Sequence, residues 1–284
     1  RSKDRLKRLS GGERIKVPVM YDGSGNFKRY SGAEVLDITP YEGITNAFFD
    51  WKQAATAVII TGLDKRSNMG ESRVRDLQKD KIFQAEATLG DNLASDAYSD
   101  GTANGSKQTT GLAAMVATTT TSGTYASINF GNNTKWRNQA IASVGAAAVN
   151  LLPNLRTLVN NCGVVAGVEG RIDGIFTTQT VQEALEALII PAVRYGSGEK
   201  GDLSNDPIFR GADIQWEAKC QSGTLYALNS QHIFGFVHRD ADFAMSDAGL
   251  QIPINQDAWV GPILWQGNMG TNLREALGKL TGIT

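Results

Sequence analysis

From Arg14 to Tyr21 apolar and polar positions alternate. Ile15, Val17, Val19 and Tyr21 fall on one side, Arg14, Lys16, Pro18 and Met20 on the other. A period of two predicts a strand. Asp22-Gly23-Ser24-Gly25-Asn26 is a dense turn signal, and Phe27 to Ile38 reads as the returning strand. The pattern therefore predicts a long hairpin with its tip at Asp22–Asn26. Val17 and Val19 lie on one face and Met20 on the other, so both faces are partly apolar. A lone two-stranded ribbon is marginal in water, and Pro18 requires an edge strand. The ribbon must lie on its own domain or on another subunit.

Ala47 to Leu63 reads as a further strand region, with Phe48, Phe49, Trp51, Val58, Ile59 and Ile60. The period then becomes helical. Val74, Leu77, Ile82, Ala85, Leu89, Leu93 and Ala97 recur at spacings of three to five across residues 71–98. Ser67 or Asn68 is the expected N-cap, and Gly101 follows the end. A helix of about 28 residues would be roughly 42 Å long at 1.5 Å per residue. A ribbon beside such a rod is not the plan of a compact enzyme.

Residues 101–134 are rich in Gly, Thr, Ser and Asn and predict loops or surface strands. Ala140 to Leu152 reads as a helix, with Pro153 opening a second one over Asn154 to Cys162. Ile172 to Phe176 predicts a buried strand, followed by a helix capped by Thr178 or Thr180. Tyr195 to Asp206 reads as a Gly-rich loop. Ile208 to Ile263 predicts mostly short strands, closed by an amphipathic segment near Leu273 to Leu280. There are no internal repeats, and the mixed order gives an α+β class.

Composition narrows the function. The chain has 284 residues, 41% hydrophobic, with a net charge of −1. It can bury a core, and it lacks the basic balance of most nucleic-acid binders. No apolar run is long enough for a membrane span, and no membrane partner is expected. Two cysteines, Cys162 and Cys220, suit a cytosolic origin, with a single bridge as the other reading. No signal peptide is visible, and the first residue is Arg1. Charge is uneven: residues 1–10 carry +4 and the rest −5. Arg1, Lys3, Arg5, Lys7 and Arg8 form either a basic arm toward an acidic neighbour or nucleic acid, or a solvated mobile terminus.

Catalytic motifs fail on context. Gly196-Ser197-Gly198-Glu199-Lys200-Gly201 matches G-x-G-x-x-G but lacks the preceding strand and following helix that aim backbone N–H groups at a pyrophosphate. His232 and His238 have no Cys, Asp or Glu at zinc-ligand spacing and read as structural histidines. Asp240 with Asp242, and Asp22 with Ser24 and Asn26, read as solvated loops; the latter set lacks the Gly and Glu of a calcium loop. The five tryptophans lack interleaved basic residues and read as core or subunit contacts. No catalytic residue, cofactor or metal is expected, and the chain is not read as an enzyme.

The order of several phrases resembles the tailed-phage major capsid proteins. They are Ile15-Lys16-Val17-Pro18-Val19-Met20-Tyr21, Ser31-Gly32, Leu36-Asp37-Ile38-Thr39-Pro40, Gly43-Ile44-Thr45-Asn46-Ala47 and Asp50-Trp51-Lys52-Gln53. Gly62-Leu63, Asp100-Gly101-Thr102, Gly111-Leu112-Ala113-Ala114, Trp136-Arg137-Asn138 and Leu225-Tyr226-Ala227-Leu228-Asn229 continue the likeness. The resemblance is strongest over residues 12–138. It implies the Hong Kong 97 fold: an N-arm at 1–12, an extended loop at 13–45, a peripheral domain at 46–110 and 236–284 with spine helix 71–98, and an axial domain at 111–235.

It also implies pentamers and hexamers closing into an icosahedral head around double-stranded DNA, with portal, scaffold and cement proteins as further partners. The site would be a virion assembled in the host cytoplasm. The arm residues Arg1, Lys3, Arg5, Lys7 and Arg8 and the tip Asp22, Gly23, Ser24, Gly25 and Asn26 would contact neighbouring subunits. Some members ligate subunits by a Lys–Asn isopeptide bond, for which Lys28 is the formal candidate, and some lose an N-terminal segment on maturation. The alternative is an encapsulin-like shell enclosing protein cargo.

Overall fold

The computed structural model describes residues 5–23, 25–69, 76–164, 171–194, 208–245 and 249–284. In chain order the strands and helices are β1 (Leu6–Leu9), β2 (Ile15–Met20), β3 (Ile44–Phe49), β4 (Lys52–Thr61), α1 (Gly62–Ser67), α2 (Leu77–Ala97), α3 (Ala103–Ser106) and α4 (Leu112–Met115). Then follow β5 (Thr124–Tyr125), β6 (Ile128–Asn129), β7 (Gln139–Ile141), α5 (Ala147–Gly163), β8 (Gly174–Thr177), α6 (Gln179–Arg194), β9 (Ile208–Phe209) and β10 (Ala212–Trp216). The last are β11 (Leu225–Leu228), β12 (Ile233–His238), β13 (Ala244–Met245), β14 (Ala258–Thr271) and β15 (Gly278–Leu280). The chain divides into two compact units, one of residues 1–14, 50–114 and 234–270, the other of residues 15–49, 115–233 and 271–284.

In the first unit, a five-stranded sheet runs β1-β12-β14-β13, with β4 pairing β14 over ten residues. α2 lies on one face, where Ala85 and Leu89 pack with Val58 and Ile263. The sequence places this helix correctly but not its start. Residues 70–75 lie outside the described residues, and the helix begins at Leu77 with Asp76 as N-cap, whose carboxylate accepts from the Lys79 N–H. Ser67 ends α1 and Asn68 caps its C-terminus. The expected strand region Ala47–Leu63 is broken at Asp50-Trp51 and finishes as α1.

In the second unit, a six-stranded sheet runs β7-β15-β11-β8-β10-β9. β11 is buried along its whole length, which explains its unbroken apolar sequence. Leu151, Leu155, Leu158 and Cys162 of α5 and Val181 and Leu185 of α6 pack with Ile175, Ile214 and Leu225 of the sheet. Thr178 precedes α6, and its carbonyl accepts from the N–H groups of Val181 and Gln182. Two expectations fail here. Ala140–Leu152 is not a helix throughout: Gln139–Ile141 is a strand beside β15, and Pro153 sits inside one continuous α5. The apolar side at Leu151, Leu155 and Leu158 binds the helix to the core across the proline, and this burial outweighs the lost N–H. The segment near Leu273–Leu280, expected to be amphipathic, is buried along its second half. It is a short 3-10 turn at Arg274–Ala276 followed by β15.

Both cysteines are free and buried, and burial pushes the Cys162 thiol up to about 12. No described helix is long and apolar enough to cross a membrane.

Candidate assembly surfaces

The hairpin is built by β2 and β3, in antiparallel register from Ile15 opposite Phe49 to Met20 opposite Ile44. Its return strand is therefore β3, not Phe27–Ile38. Ile15, Val17, Val19, Ala47 and Phe49 share one face and are buried. Pro18 sits on a strand with a single partner, as an edge proline must. The ladder ends where Tyr21 and Asp22 donate to the Gly43 carbonyl.

Beyond that point side chains replace the backbone ladder. The Tyr41 hydroxyl donates to Asp22, and the Asn26 amide donates to the Thr39 carbonyl. Lys28 Nζ lies 2.9 Å from a Glu34 carboxylate oxygen and donates to the Val35 carbonyl at 3.3 Å. The chain reverses within residues 29–33, with Gly32 at φ +67°. The tip is thus farther out than the sequence pattern suggests. Asp22, Gly23, Gly25 and Asn26 flank the ladder's end, and Ser24 lies outside the described residues. Asp22 and Tyr41 shift each other: the tyrosine hydroxyl bond, then the Gly23 N–H, hold the carboxylate below its usual range. The same bond raises the Tyr41 phenol.

This outer segment exposes apolar side chains. Phe27 is 80% exposed, Val35 87% and Ile38 90%, with Tyr30, Leu36, Tyr41 and Ile44 also exposed. Among the described residues, no backbone–backbone hydrogen bond involves residues 25–42. Such a concentration marks an interaction surface rather than scattered surface apolar residues.

The hairpin's base rests on a buried cation. Phe49 meets the Tyr125 ring edge-on at 5.7 Å, and Tyr125 stacks on Trp136 at 6.2 Å. The Arg274 guanidinium lies 4.8 Å from the Tyr125 ring centroid and 4.6 Å from that of Phe130. Arg274 is fully buried. It donates to the Met115 carbonyl at 2.8 Å, the Trp136 carbonyl at 3.0 Å and Asn138 Oδ1 at 3.0 Å. Asn138 in turn binds Ala117 through both its amide groups. Burial lowers the Arg274 pKa to about 10, so the cation persists at neutral pH. Neutral acceptors and two aromatic faces hold it.

Trp136-Arg137-Asn138 thus has a physical role: Trp136 and Asn138 bind Arg274, and Arg137 donates to the Phe130 and Gly131 carbonyls. Sequence reading missed Arg274. Its sequence signal is slight, because Leu273–Leu280 also carries Glu275 and Lys279. Gly111 also has a reason, because a Cβ there would sit 2.3 Å from the Asp96 carbonyl oxygen.

The arm is not a mobile terminus over residues 6–9. β1 pairs in parallel with β12, Lys7 lies 4.1 Å over the Phe234 ring, and Arg8 pairs with Asp242 at 2.6 Å. Arg5 Nη1 is buried without a partner among the described residues, while Arg1 and Lys3 lie outside them. Residues 196–201 also lie outside them. His232 Nδ1 meets Asn272 Oδ1 at 2.9 Å, and His238 Nδ1 accepts from the Asp240 N–H at 3.2 Å. No cluster of metal-ligating side chains occurs among the described residues.

No family model and no curated protein sequence matches the chain. Solved structures do. The chain is similar to the capsid asymmetric unit of cyanophage A-1(L), at TM-score 0.67 and 15% identity over 99% of this chain and 90% of that one. It is similar to the capsid of Myoviridae phage XM1, at TM-score 0.60 and 12% identity over 98% and 89%. It is also similar to the SrpI encapsulin complex of Synechococcus elongatus PCC 7942, at TM-score 0.62 and 10% identity over 98% and 85%. The fold is that of capsid shell chains.

Proposed function

We propose that this chain is the major capsid subunit of a tailed phage, forming pentamers and hexamers of an icosahedral head around double-stranded DNA. One observation carries the reading. A chain with a capsid-shell fold carries a hairpin whose outer 18 residues, 25–42, expose apolar side chains and make no backbone–backbone hydrogen bond among the described residues. That surface suits a neighbouring subunit. The first unit then corresponds to a peripheral domain and the second to an axial domain that carries the extended loop. The loop residues Asp22 to Asn26 and the arm residues Arg1, Lys3, Arg5, Lys7 and Arg8 contact neighbours. Portal, scaffold and cement proteins complete a virion assembled in the host cytoplasm.

Electron microscopy of the purified protein tests the reading. Closed shells are expected, and a particle from infected cells should contain double-stranded DNA. A monodisperse monomer across salt and pH would overturn it. Shells filled with protein cargo and free of DNA would transfer the chain to the encapsulin-like alternative.

A further inference from the structure

The free edge of β4 carries an inference that rests on the shell reading and deepens it. In an antiparallel pair, facing residues alternately exchange both backbone groups or turn both away. Val260 exchanges both with Gln251, at 2.8 and 2.9 Å, while facing Ile59 on its other side. Gln266 likewise donates to Ala241 at 2.9 Å while facing Gln53. Pro262, which has no N–H, faces Ala57. All three observations give one phase: Gln53, Ala55, Ala57 and Ile59 turn their N–H and C=O groups away from β14. Among the described residues nothing accepts from or donates to these groups.

From Gln53 onward the strand itself carries no guard against pairing along this edge. Gln53 to Leu63 contains no charged residue and no proline. Protein edges are ordinarily guarded by such residues, because an open row of N–H and C=O groups recruits another strand. The exposed side chains are also permissive: Ala55 and Ala57 are small, and Ile59 is 51% exposed.

We infer that β4 pairs antiparallel with β4 of a second copy of this chain across a two-fold axis at Thr56. Gln53 then meets Ile59 of the partner subunit, and Ala55 meets Ala57 of the partner subunit. All four outward N–H and all four outward C=O groups of each copy find partners. The two sheets become one, with α2 on the same face in both copies. The outer hairpin of a neighbour fits this edge less well. Its residues 27–42 include Lys28, Arg29, Glu34, Asp37, Pro40 and Glu42, so no uncharged, proline-free stretch there exceeds four residues.

Cross-linking in assembled particles tests the pairing. Thr56 forms a hydrogen-bonded pair with Ile263, so it faces its symmetry mate as a non-bonded pair, with Cα atoms about 4.5 Å apart. That separation lies within disulfide range. T56C particles should therefore yield a disulfide dimer on mild oxidation, and Cys162 and Cys220 are buried and silent. Ala57→Pro should leave the isolated subunit's unfolding midpoint unchanged, because the Ala57 N–H does not serve β14, yet lower shell yield at least tenfold. Val58→Pro should unfold the subunit. Wild-type yield and melting for A57P shells, or absence of the T56C dimer, would overturn the inference. A Thr56–Val35 cross-link in the T56C/V35C double variant would do the same by placing the hairpin on this edge. Wild-type micrographs report on the shell reading separately: shells without the T56C dimer defeat the edge pairing alone.

Discussion

The two sheets of this chain handle their surfaces in opposite ways. In the six-stranded sheet the central strand β11 is buried on both faces, and α5 and α6 supply a continuous apolar layer. In the five-stranded sheet α2 covers one face, while Ile59 and Leu264 are exposed on the strands and β4 has one paired edge. The first arrangement satisfies its groups within the chain. The second leaves apolar area exposed and backbone groups without a partner among the described residues. A subunit built for assembly needs both: an interior that folds before its neighbours arrive, and surfaces that stay incomplete until they do.

The contrast breaks most severely at Arg274. Removing its side chain strands the Met115 and Trp136 carbonyls and takes one of two donors from Asn138 Oδ1, which keeps the Ala117 N–H. Each buried orphan costs about 1–3 kcal/mol, and the emptied space between the two rings adds to that. Arg274→Ala should therefore lose more than about 3 kcal/mol in denaturant unfolding of the subunit. Arg274→Lys should recover little, since one ammonium cannot match the fork between two rings. A loss below about 1 kcal/mol for R274A would mean the clamp is dispensable.

A paired substitution sharpens the comparison. Leu155→Ala opens a cavity in the closed sheet's core and should cost about 2–5 kcal/mol. Ile59→Ala on the open sheet should change subunit stability by no more than about 0.5 kcal/mol. Equal losses in urea titrations would show that the open face is not open.

The outer hairpin gives a smaller effect. Val35→Ser with Ile38→Ser removes exposed apolar surface, leaving the subunit's unfolding curve in place while lowering the melting temperature of assembled particles. A shift in the subunit curve instead would tie the segment to its own core.

Much of this was legible from pattern. The alternation at Ile15–Val19, the helical period through Leu77, Ala85 and Leu89, and the apolar run Leu225–Leu228 each report burial of one face or two. Such signals are local and read directly. The return strand is β3 and not Phe27–Ile38, which is as apolar as a strand yet pairs with no other strand among the described residues. Its apolar residues serve something other than this chain's ladder. Helix α5 was divided at Pro153 because the tertiary burial of Leu151 and Leu155 is invisible to local propensity. Arg274 was missed because its partners lie more than 130 positions away. The free edge of β4 follows from register, and register depends on which strand lies beside it.

The smallest expected effect is a pH response at the end of the hairpin ladder. The Asp22 carboxylate accepts from the Tyr41 hydroxyl and the Gly23 N–H, and these bonds lower its folded-state pKa. For an acid with a depressed folded value, the stabilisation is fully present above the unfolded value of about 3.9 and disappears as pH falls through the folded one. The closure should therefore be intact at neutral pH and loosen below about pH 4. The observable is hydrogen exchange at the Tyr21 and Asp22 amides, which donate to Gly43. Asp22 is exposed, so solvent and salt screen the interaction and only a modest loss of protection is expected. Tyr41→Phe removes the principal donor and should flatten the pH response. If Y41F kept the full wild-type response, some group other than the Asp22–Tyr41 pair would be closing the ladder.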